Sequence, residues 1–300
     1  MAAKGASKGK RKPSRTLLID GDIFIFKSCL LAESVVQWDT WTWGKWGNLS
    51  EAAADFDSQV SRLLEELSAD QIVVALTDGN NWRKSVLPTY KHNRVTTEKP
   101  VLYGALRQYV AETYQTYIRP GLEGDDVLGI LSTNPKLFPG EKIIVSCDKD
   151  MQTIPGLLVN DMKAREAIED GEGFDYSDFV YEVTTEEADH YHLLQTLTGD
   201  ATDGYAGCPG YGPVTAKKLL GGGQVLEPVE KVLASGPRKG ETEVRWLPGR
   251  VGTPWEIVVS AYASAGLGEE EALVQAQVAR ICRYEDYNYK TREVKLWQPA

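Results

Sequence analysis

Acidic residues follow three short apolar segments of the chain, each of which has the composition of a buried β-strand. Asp20 ends TLLID, Asp78 follows QIVVALT, and Asp148 follows KIIVSC. In an open α/β sheet, ligands bind at the carboxyl ends of the strands. A single strand-end aspartate can simply cap the next helix. Three of them in the same arrangement predict that their carboxylates converge at one edge of a sheet.

Further carboxylates occur in compact motifs that extend this set. They are Glu123, Asp125 and Asp126 in LEGDD, Asp150 in DKD, and Asp200 and Asp203 in TGDATDG. Asp200 and Asp203 are three residues apart, so a helical turn places them on one side. Nine carboxylates in one cleft repel one another, which raises their pKa values unless cations bind. We therefore expect a cation site among them.

The ligand types restrict which cation this site would hold. Carboxylate oxygens without histidine or cysteine suit Mg²⁺, with Mn²⁺ as a substitute, better than Zn²⁺. Two such ions about 3.5–4 Å apart can activate water and stabilise the leaving oxygen of a phosphodiester. The sequence thus predicts metal-assisted phosphodiester hydrolysis.

A basic segment, NNWRKSVLPTYKHNR, follows Asp78 and contains no acid before Glu98. Its cations are Arg83, Lys84, Lys91 and Arg94. An ammonium or guanidinium group near a scissile phosphate stabilises the negative charge that develops during cleavage. The alternative is a solvated basic loop without a function.

A glycine-rich turn follows the last acidic motif. Gly207, Gly210 and Gly212 precede Pro213 and the helical segment VTAKKLL. Glycines let backbone N–H groups approach a phosphate, and proline in the first turn starts a helix whose N-terminus attracts the anion. With Lys217 and Lys218 on the next turn, the element would hold a duplex backbone without reading bases.

Strand-like segments alternate with helical ones, which predicts an α/β fold with a mostly parallel central sheet and helices on both faces. We expect helices at about 51–68, where Ser50 is the predicted cap, at 98–115, from near Gly124, and from the capping box of Thr184 and Glu187. The chain is polar and turn-rich from Gly221 to Gly252. Thr253 as N-cap, Pro254 in the first turn and Glu256 at the third position predict a capping box and a helix that stops at Gly266. A second helix should run over about 268–283.

Composition gives weaker constraints. The net charge is −10, but residues 1–15 contain six basic side chains and no acid, and acidic clusters that bind cations reverse their local charge. Residues 1–14 should be a disordered tail, either for solubility or as a non-specific DNA tether. Four separated cysteines indicate a reduced, cytoplasmic protein, and no apolar run is long enough for a membrane span.

Four tryptophans, Trp38, Trp41, Trp43 and Trp46, occur within nine residues. Their rings can stack on nucleotide bases. They can also form a packed local loop, which is the more common use of such a cluster.

The order DG, D, E-x-DD, D-x-D, GD-x-x-D resembles the acidic signature of the flap-endonuclease (5′-nuclease) superfamily. NWRK, YKxNR, LEGDDV, SCDKD, GDxTDGY and the later ARICRYEDYNY resemble the 5′→3′ exonucleases of short-tailed phages. Together with the acidic signature, the first five motifs cover about residues 16–220. Each is weak alone, but their combination is specific.

The resemblance implies roles for these residues. Asp20, Asp78, Glu123 and Asp125 would hold one Mg²⁺ and Asp148, Asp150 and Asp203 a second, with Asp126 and Asp200 nearby or bridging through water. Lys91 and Arg94 would grip phosphate and Tyr90 would stack on a base, within a helical arch at about 80–97. Gly207, Gly210 and Gly212 would form a helix-three-turn-helix. Asp22 is not a fixed ligand of the family and is not assigned.

The implied domains are a basic tail at 1–14, a PIN-like catalytic core at 15–182, and a helix-three-turn-helix with a C-terminal helical region at 183–300. The implied activity is a 5′→3′ exodeoxyribonuclease of the host-cell cytoplasm, acting in phage replication, recombination or host DNA degradation. Flaps, RNA primers and RNA–DNA hybrids are further substrates. The alternatives are a PIN-like ribonuclease and a non-catalytic DNA-binding protein. No clamp-binding peptide is evident, so protein partners are not predicted.

Overall fold

The computed structural model describes residues 14–94, 98–171 and 173–299 of the 300-residue chain. Nearly all of the predicted N-terminal tail and residues 95–97 of the predicted arch lie outside this part. A six-stranded sheet forms the centre, in the spatial order β5-β4-β1-β6-β7-β8. Its strands are β1 (Arg15–Asp20), β4 (Gln71–Ala75), β5 (Thr116–Tyr117), β6 (Glu141–Ser146), β7 (Gly156–Asn160) and β8 (Tyr181–Val183). All are parallel to their neighbours except β8, which is antiparallel to β7.

Helices cover both faces of this sheet, because successive side chains of a strand point to opposite sides. Leu17 and Ile19 of β1 pack in one core, and Leu18 packs in the other. The first core is covered by α1 (Gly21–Leu31), α2 (Leu49–Glu66), α4 (Tyr103–Thr113) and α6 (Asp161–Glu169). The second is covered by α5 (Gly124–Thr133) and by residues 281–287. The predicted fold class is confirmed.

A third core lies beyond the sheet, in the C-terminal part of the chain. It joins α7 (Thr185–Thr198), α8 (Pro213–Gly222), α9 (Pro254–Ser264) and α10 (Glu269–Ala279). The predicted capping boxes at Thr184 and Thr253 are both present, the second with proline in the first turn. For α2 the predicted cap was wrong, because the side chain of Asn48, not Ser50, accepts the hydrogen bond that caps the helix.

Two β-hairpins differ from the predictions. The segment expected to be turn-rich forms β9 (Gln224–Val232) and β10 (Thr242–Val251), which pair antiparallel to each other. The tryptophan cluster lies in a hairpin of β2 (Glu33–Gln37) and β3 (Trp43–Gly47), with Trp43 and Trp46 in β3 and Trp38 and Trp41 in the connecting turn. Its four indole rings are 56% to 89% exposed, so the packed local loop was the wrong alternative.

The four cysteines are all free. Among the described residues, no helix is long and apolar enough to cross a membrane.

Candidate active site

Carboxylates from two strand ends and one helix meet at the carboxyl edge of the sheet. Asp20 ends β1 and accepts hydrogen bonds from Ser146 Oγ at 2.6 Å and Ile23 N at 3.4 Å. Asp148 follows β6 and caps the next turn through Asp150 N. Asp125 lies in the first turn of α5. The predicted convergence of the strand ends is thus visible for Asp20 and Asp148.

Burial and mutual repulsion raise the pKa values of several of these groups. The pKa of Asp20 is raised to about 7, mainly by desolvation. The hydrogen bond from Ser146 lowers this pKa, while repulsion from Asp22 and Asp148 raises it further. The pKa of Asp125 is raised well above its usual value, mainly by burial and then by repulsion from Asp20. The pKa of Asp150 is raised to about 7, mainly by burial and then by repulsion from Asp148. The groups therefore act on one another electrostatically.

The turn between α7 and α8 brings the last acidic pair to the same place. Asp200 Oδ1 accepts from Thr202 N at 2.7 Å, and Lys149 lies 3.5 Å from its other oxygen. Asp203 Oδ1 is 2.7 Å from Arg94 Nη2. Asp200 and Asp203 both raise the pKa of Asp150, which places the pair beside the sheet edge.

Part of the basic segment packs directly on these carboxylates. Lys91 Nζ forms an ion pair with Glu123 and lies 3.5 Å from Asp203 Oδ2. The backbone N–H of Lys91 donates to the Asp203 carbonyl at 2.7 Å, and its φ of 53° is in the left-handed region. Tyr90 is buried, and its hydroxyl donates towards Glu123 at 3.0 Å and Asp203 at 2.7 Å. In this position the Tyr90 ring does not face solvent, where it could stack on a base.

Arg83 lies beneath the carboxylates instead of facing the cleft. Its guanidinium forms two 2.8 Å hydrogen bonds with Asp126 and donates to the backbone carbonyls of Val278 at 2.8 Å and Arg280 at 2.6 Å. Asp126 also accepts from Cys282 N at 3.0 Å, and it is fully buried. The pair positions α5 and its acidic first turn. Lys84, the next residue, is exposed.

Asp78 and Asp22 occupy the loops beside this edge. Asp78 Oδ2 accepts from Gly121 N at 2.8 Å, and this bond is the main cause of its lowered pKa. Asp22 accepts from Thr77 N at 2.8 Å and from Tyr103 Oη at 2.6 Å, and so ties α1 to β4 and α4. Sequence reasoning did not assign Asp22, Ser146 or Tyr103. Only Asp22 left a signal, because it lies two residues after Asp20.

Within the described ranges, no three His, Cys, Asp or Glu side chains converge tightly enough to form a ready metal site. Three of the carboxylates are bound to the chain's own cations, in the pairs Lys91–Glu123, Arg94–Asp203 and Arg83–Asp126. The donor set still fits a hard divalent cation. It is made of carboxylate oxygens, and the buried Asp150 Oδ1 has no hydrogen-bond partner.

The glycine turn has the backbone geometry that only glycine adopts easily. Gly207 and Gly210 have φ values of 67° and 84°. A Cβ on Gly207 would lie 2.3 Å from Gly199 N, so the close approach of these two segments also requires glycine. Gly212 is the N-cap of α8, on which Lys217 and Lys218 are exposed.

Removing divalent cations should make stability depend on pH in an unusual direction. Asp20 and Asp150 have pKa values raised from 3.8 to about 7. A group whose pKa is raised in the folded state stabilises below its unfolded pKa, and this stability is lost as pH rises towards 7. In EDTA, we expect ionisation of these groups to lower the melting temperature as the pH rises from about 4 to about 7, and Mg²⁺ to raise the melting temperature more at about pH 8 than at about pH 5.5. Thermal unfolding of the wild type and Asp150→Asn would check this, and a Mg²⁺ effect equal at both pH values would contradict it.

Known proteins resemble this chain over most of its length. Residues 15–174 match the family described as 5′-3′ exonuclease, N-terminal resolvase-like domain. The exodeoxyribonuclease of Enterobacteria phage T3 is 37% identical, covering 94% of this chain and 92% of the relative. The exonuclease of Escherichia phage T7 is 35% identical, covering 94% and 93%.

Solved structures share the fold. A phage T5 protein co-crystallised with metal ions superposes with a TM-score of 0.54 at 17% identity, covering 88% of each chain. The flap endonuclease of bacteriophage T5, in a pseudo-enzyme-product complex with DNA and metal ions, gives a TM-score of 0.54 at 16% identity, again with 88% coverage of each. From the family match and the phage relatives, we conclude that this chain belongs to the 5′–3′ exonuclease family and is a nuclease of the phage type.

Proposed function

We propose that this chain is a two-metal-ion 5′→3′ exodeoxyribonuclease that hydrolyses phosphodiester bonds from the 5′ ends of duplex DNA. The observation that carries the proposal is that Lys91 and Arg94 share one site with Glu123 and Asp203. Cations placed beside a cluster of acids fit a substrate that is a phosphate diester bound next to metal ions. Hydrolytic chemistry is also that of the family to which the chain belongs.

The metal ligands we propose are the oxygen donors at the sheet edge. Asp20, Asp78, Glu123 and Asp125 are assigned to one Mg²⁺ and Asp148, Asp150 and Asp203 to the other, with Asp200 close by. Divalent cations, when bound, supply an activated water and neutralise the leaving oxygen. Asp126 is better described as the partner of Arg83, because protein donors already bind both of its oxygens. Mn²⁺ should substitute for Mg²⁺.

Lys91 has two states in this proposal. Without substrate it neutralises Glu123, and the pKa of that buried carboxyl is lowered, against the effect of burial, by Arg83 and then by Lys91. With metal and DNA bound, its ammonium group would be released from Glu123 and would face the scissile phosphate. Arg94, which is half exposed and bound to Asp203, would do the same at the outer side of the site. Lys84 is exposed on the same segment of the chain and is assigned to the phosphate backbone further from the cut.

Duplex contacts are assigned to the turn of Gly207, Gly210 and Gly212 and to Lys217 and Lys218. Both lysines are exposed on α8, whose N-terminus follows the turn directly. Backbone N–H groups and a helix N-terminus there offer donors to phosphate without reading sequence. The substrate would be duplex DNA with a 5′ end, and flaps or RNA–DNA hybrids are additional candidates, in the cytoplasm of the host cell during phage replication or recombination.

The polarity of digestion tests the proposal directly. Duplexes labelled at the 5′ or at the 3′ terminus are incubated with the protein, with Mg²⁺ or with EDTA. We expect labelled mononucleotides or short oligonucleotides at once from the 5′-labelled duplex, progressive shortening of the 3′-labelled strand, and neither in EDTA. Release from the 3′ label first, or equal digestion in EDTA, would overturn the proposal.

Lys91→Ala and Arg94→Ala should each lower the rate of the chemical step far more than the affinity for DNA. Their charges matter most when the phosphate gains charge in the transition state, and removing one such donor costs on the order of 10²–10³ in rate. Single-turnover cleavage and a binding assay in Ca²⁺ would separate the two effects. Lys99→Ala, which removes an exposed lysine after the basic segment, is the control. Variants defective only in affinity would show that these cations serve binding alone.

A further inference from the structure

A second cationic site lies away from the carboxylates, in a cavity of about 400 Å³ between α7, the start of α9 and the C-terminal segment. We call it the arginine pocket and define it by Asp189, His192, Trp255, Arg280, Arg283 and Trp297. None of these side chains belongs to the acidic edge or to the basic segment described above. The pocket thus has no part in the proposed cleavage.

Two buried arginines give the pocket its positive charge. Arg280 and Arg283 are 6% and 4% exposed, yet Arg280 Nη1 and Arg283 Nε have no hydrogen-bond partner among the described residues. A buried guanidinium N–H group without a partner is costly, and in native proteins such a group is usually satisfied. Burial, followed by repulsion from Arg280, also lowers the pKa of Arg283. Both guanidinium groups would be stabilised by an additional anion.

Two aspartates match the two arginine charges in number, but one of these aspartates is half exposed. Asp286 Oδ2 accepts from Arg280 Nε at 3.0 Å. Asp189 Oδ1 lies 2.7 Å from Arg283 Nη2 and 3.7 Å from Arg280 Nη1, and its side chain is 54% exposed. An incoming anion would compete with Asp189, which can turn towards solvent. Asp189 therefore limits the affinity of the pocket and offers a way to test it.

The remaining walls fit a planar group attached to that anion. Trp297 packs edge-on against His192 and Trp255, with ring centroids 5.1 and 5.2 Å apart. Burial lowers the pKa of His192 to about 3, so this ring is neutral near pH 7. The first turn of α9 also lines the cavity, and the positive end of an 11-residue helix favours an anion there. Indole rings bind nucleobases through stacking and edge contacts.

We propose that the arginine pocket binds the phosphate group of a nucleotide, with Arg280 and Arg283 as donors and Trp255 and Trp297 in contact with the base. The phosphate could belong to a free mononucleotide or to the 5′ end of a DNA strand. A nucleotide is also the product class of the proposed nuclease, and to that extent the inference rests on the proposed function. Two hydrogen bonds connect the arginine pocket to the acidic edge of the sheet. The carbonyl oxygen of Arg280 accepts from Arg83, and Arg283 donates to the carbonyl oxygen of Thr153, three residues after Asp150.

Binding is tested by calorimetry in EDTA, where the acidic edge cannot take up phosphate through a metal ion. The probes are deoxyadenosine 5′-monophosphate, inorganic phosphate and a short single strand with a 5′-phosphate. The full-length wild type is compared with Asp189→Asn and Arg283→Gln, and with Arg238→Gln, which removes an exposed arginine from the turn between β9 and β10.

We expect saturable binding of the mononucleotide, tighter than that of inorganic phosphate. Arg283→Gln should weaken it by at least about tenfold, the cost of one charged hydrogen bond, and Asp189→Asn should strengthen it several-fold. Arg238→Gln should have no effect. Binding of the 5′-phosphorylated strand alone, with the same response to the variants, would support the phosphate site and assign its source to DNA.

Absence of saturable binding by every probe would overturn the inference, as would binding that Asp189→Asn and Arg283→Gln both leave unchanged. Asp189 is half exposed, so its variant provides a result even if Arg283→Gln does not fold. Because cleavage plays no part in the measurement, a failure here is distinct from a failure of the proposed nuclease activity.

Discussion

Replacing Asp148 by asparagine is expected to lower the rate of DNA cleavage by about 10³-fold or more, because a bound metal ion contributes several kcal/mol to the transition state and each 1.36 kcal/mol is a factor of ten. Asp148 follows β6, repels Asp20 and Asp150, and is only partly buried. The substitution removes a proposed ligand without removing a phosphate contact. DNA affinity should therefore change little.

The measurement is single-turnover cleavage of a 5′-labelled duplex at saturating Mg²⁺, with affinity determined separately. Asp170→Asn makes the same chemical change at an exposed position at the end of α6 and serves as the control. Circular dichroism establishes that both variants are folded. A folded Asp148→Asn protein that cleaves within tenfold of the wild-type rate would refute the metal assignment at this position.

Replacing Arg83 by methionine should lower the free energy of unfolding by roughly 3–5 kcal/mol, the usual cost of leaving one partner of a buried ion pair alone. Arg83 and Asp126 are 2% and 0% exposed and share two hydrogen bonds of 2.8 Å. Two backbone carbonyls would also lose their donor. Activity should fall as well, because Asp125 precedes Asp126 in the same helical turn.

Urea denaturation of Arg83→Met and of Lys84→Met would check this. The second variant removes the neighbouring exposed cation and should change stability by less than about 0.5 kcal/mol. The double variant Arg83→Met with Asp126→Leu should regain part of the lost stability, since an apolar pair can replace a buried ion pair of similar volume. Equal effects of the two single variants would mean that Arg83 is not the buried anchor.

The strand ends of the site could be predicted because the information is local. An apolar run followed by an aspartate specifies both the strand and the sheet edge to which the carboxylate belongs, as Asp20 and Asp148 show. Capping boxes are equally local, and both predicted ones were confirmed. In the described part of the chain, the parallel sheet and the two helical layers followed from the same alternation of segments.

Contacts between distant segments could not be predicted in this way. Arg83 was assigned with the other cations of its segment, but its partners Val278 and Arg280 lie 195 and 197 residues later. Tyr90 was predicted to stack on a base, but it is buried and its hydroxyl group is hydrogen-bonded to Glu123 and Asp203. The hairpin of β9 and β10 was missed because the prolines and glycines within it resemble turns. One of them, Pro248, precedes the irregularity in the pairing of the two strands.

The hydrogen bonds from Arg83 and Asp126 to the C-terminal segment cannot form in the nascent chain until that segment has been synthesised. Cys282 N lies 156 residues after Asp126, its acceptor, and at a translation rate of about 5–20 residues per second this is roughly 10–30 s of synthesis. Until then, a buried arginine and a buried aspartate lack the carbonyls and the amide that hold them. The sheet can form early on the ribosome, but the acidic first turn of α5 cannot be fixed in place. A ribosome-bound, unfinished chain should therefore be unable to cut nucleic acid near it.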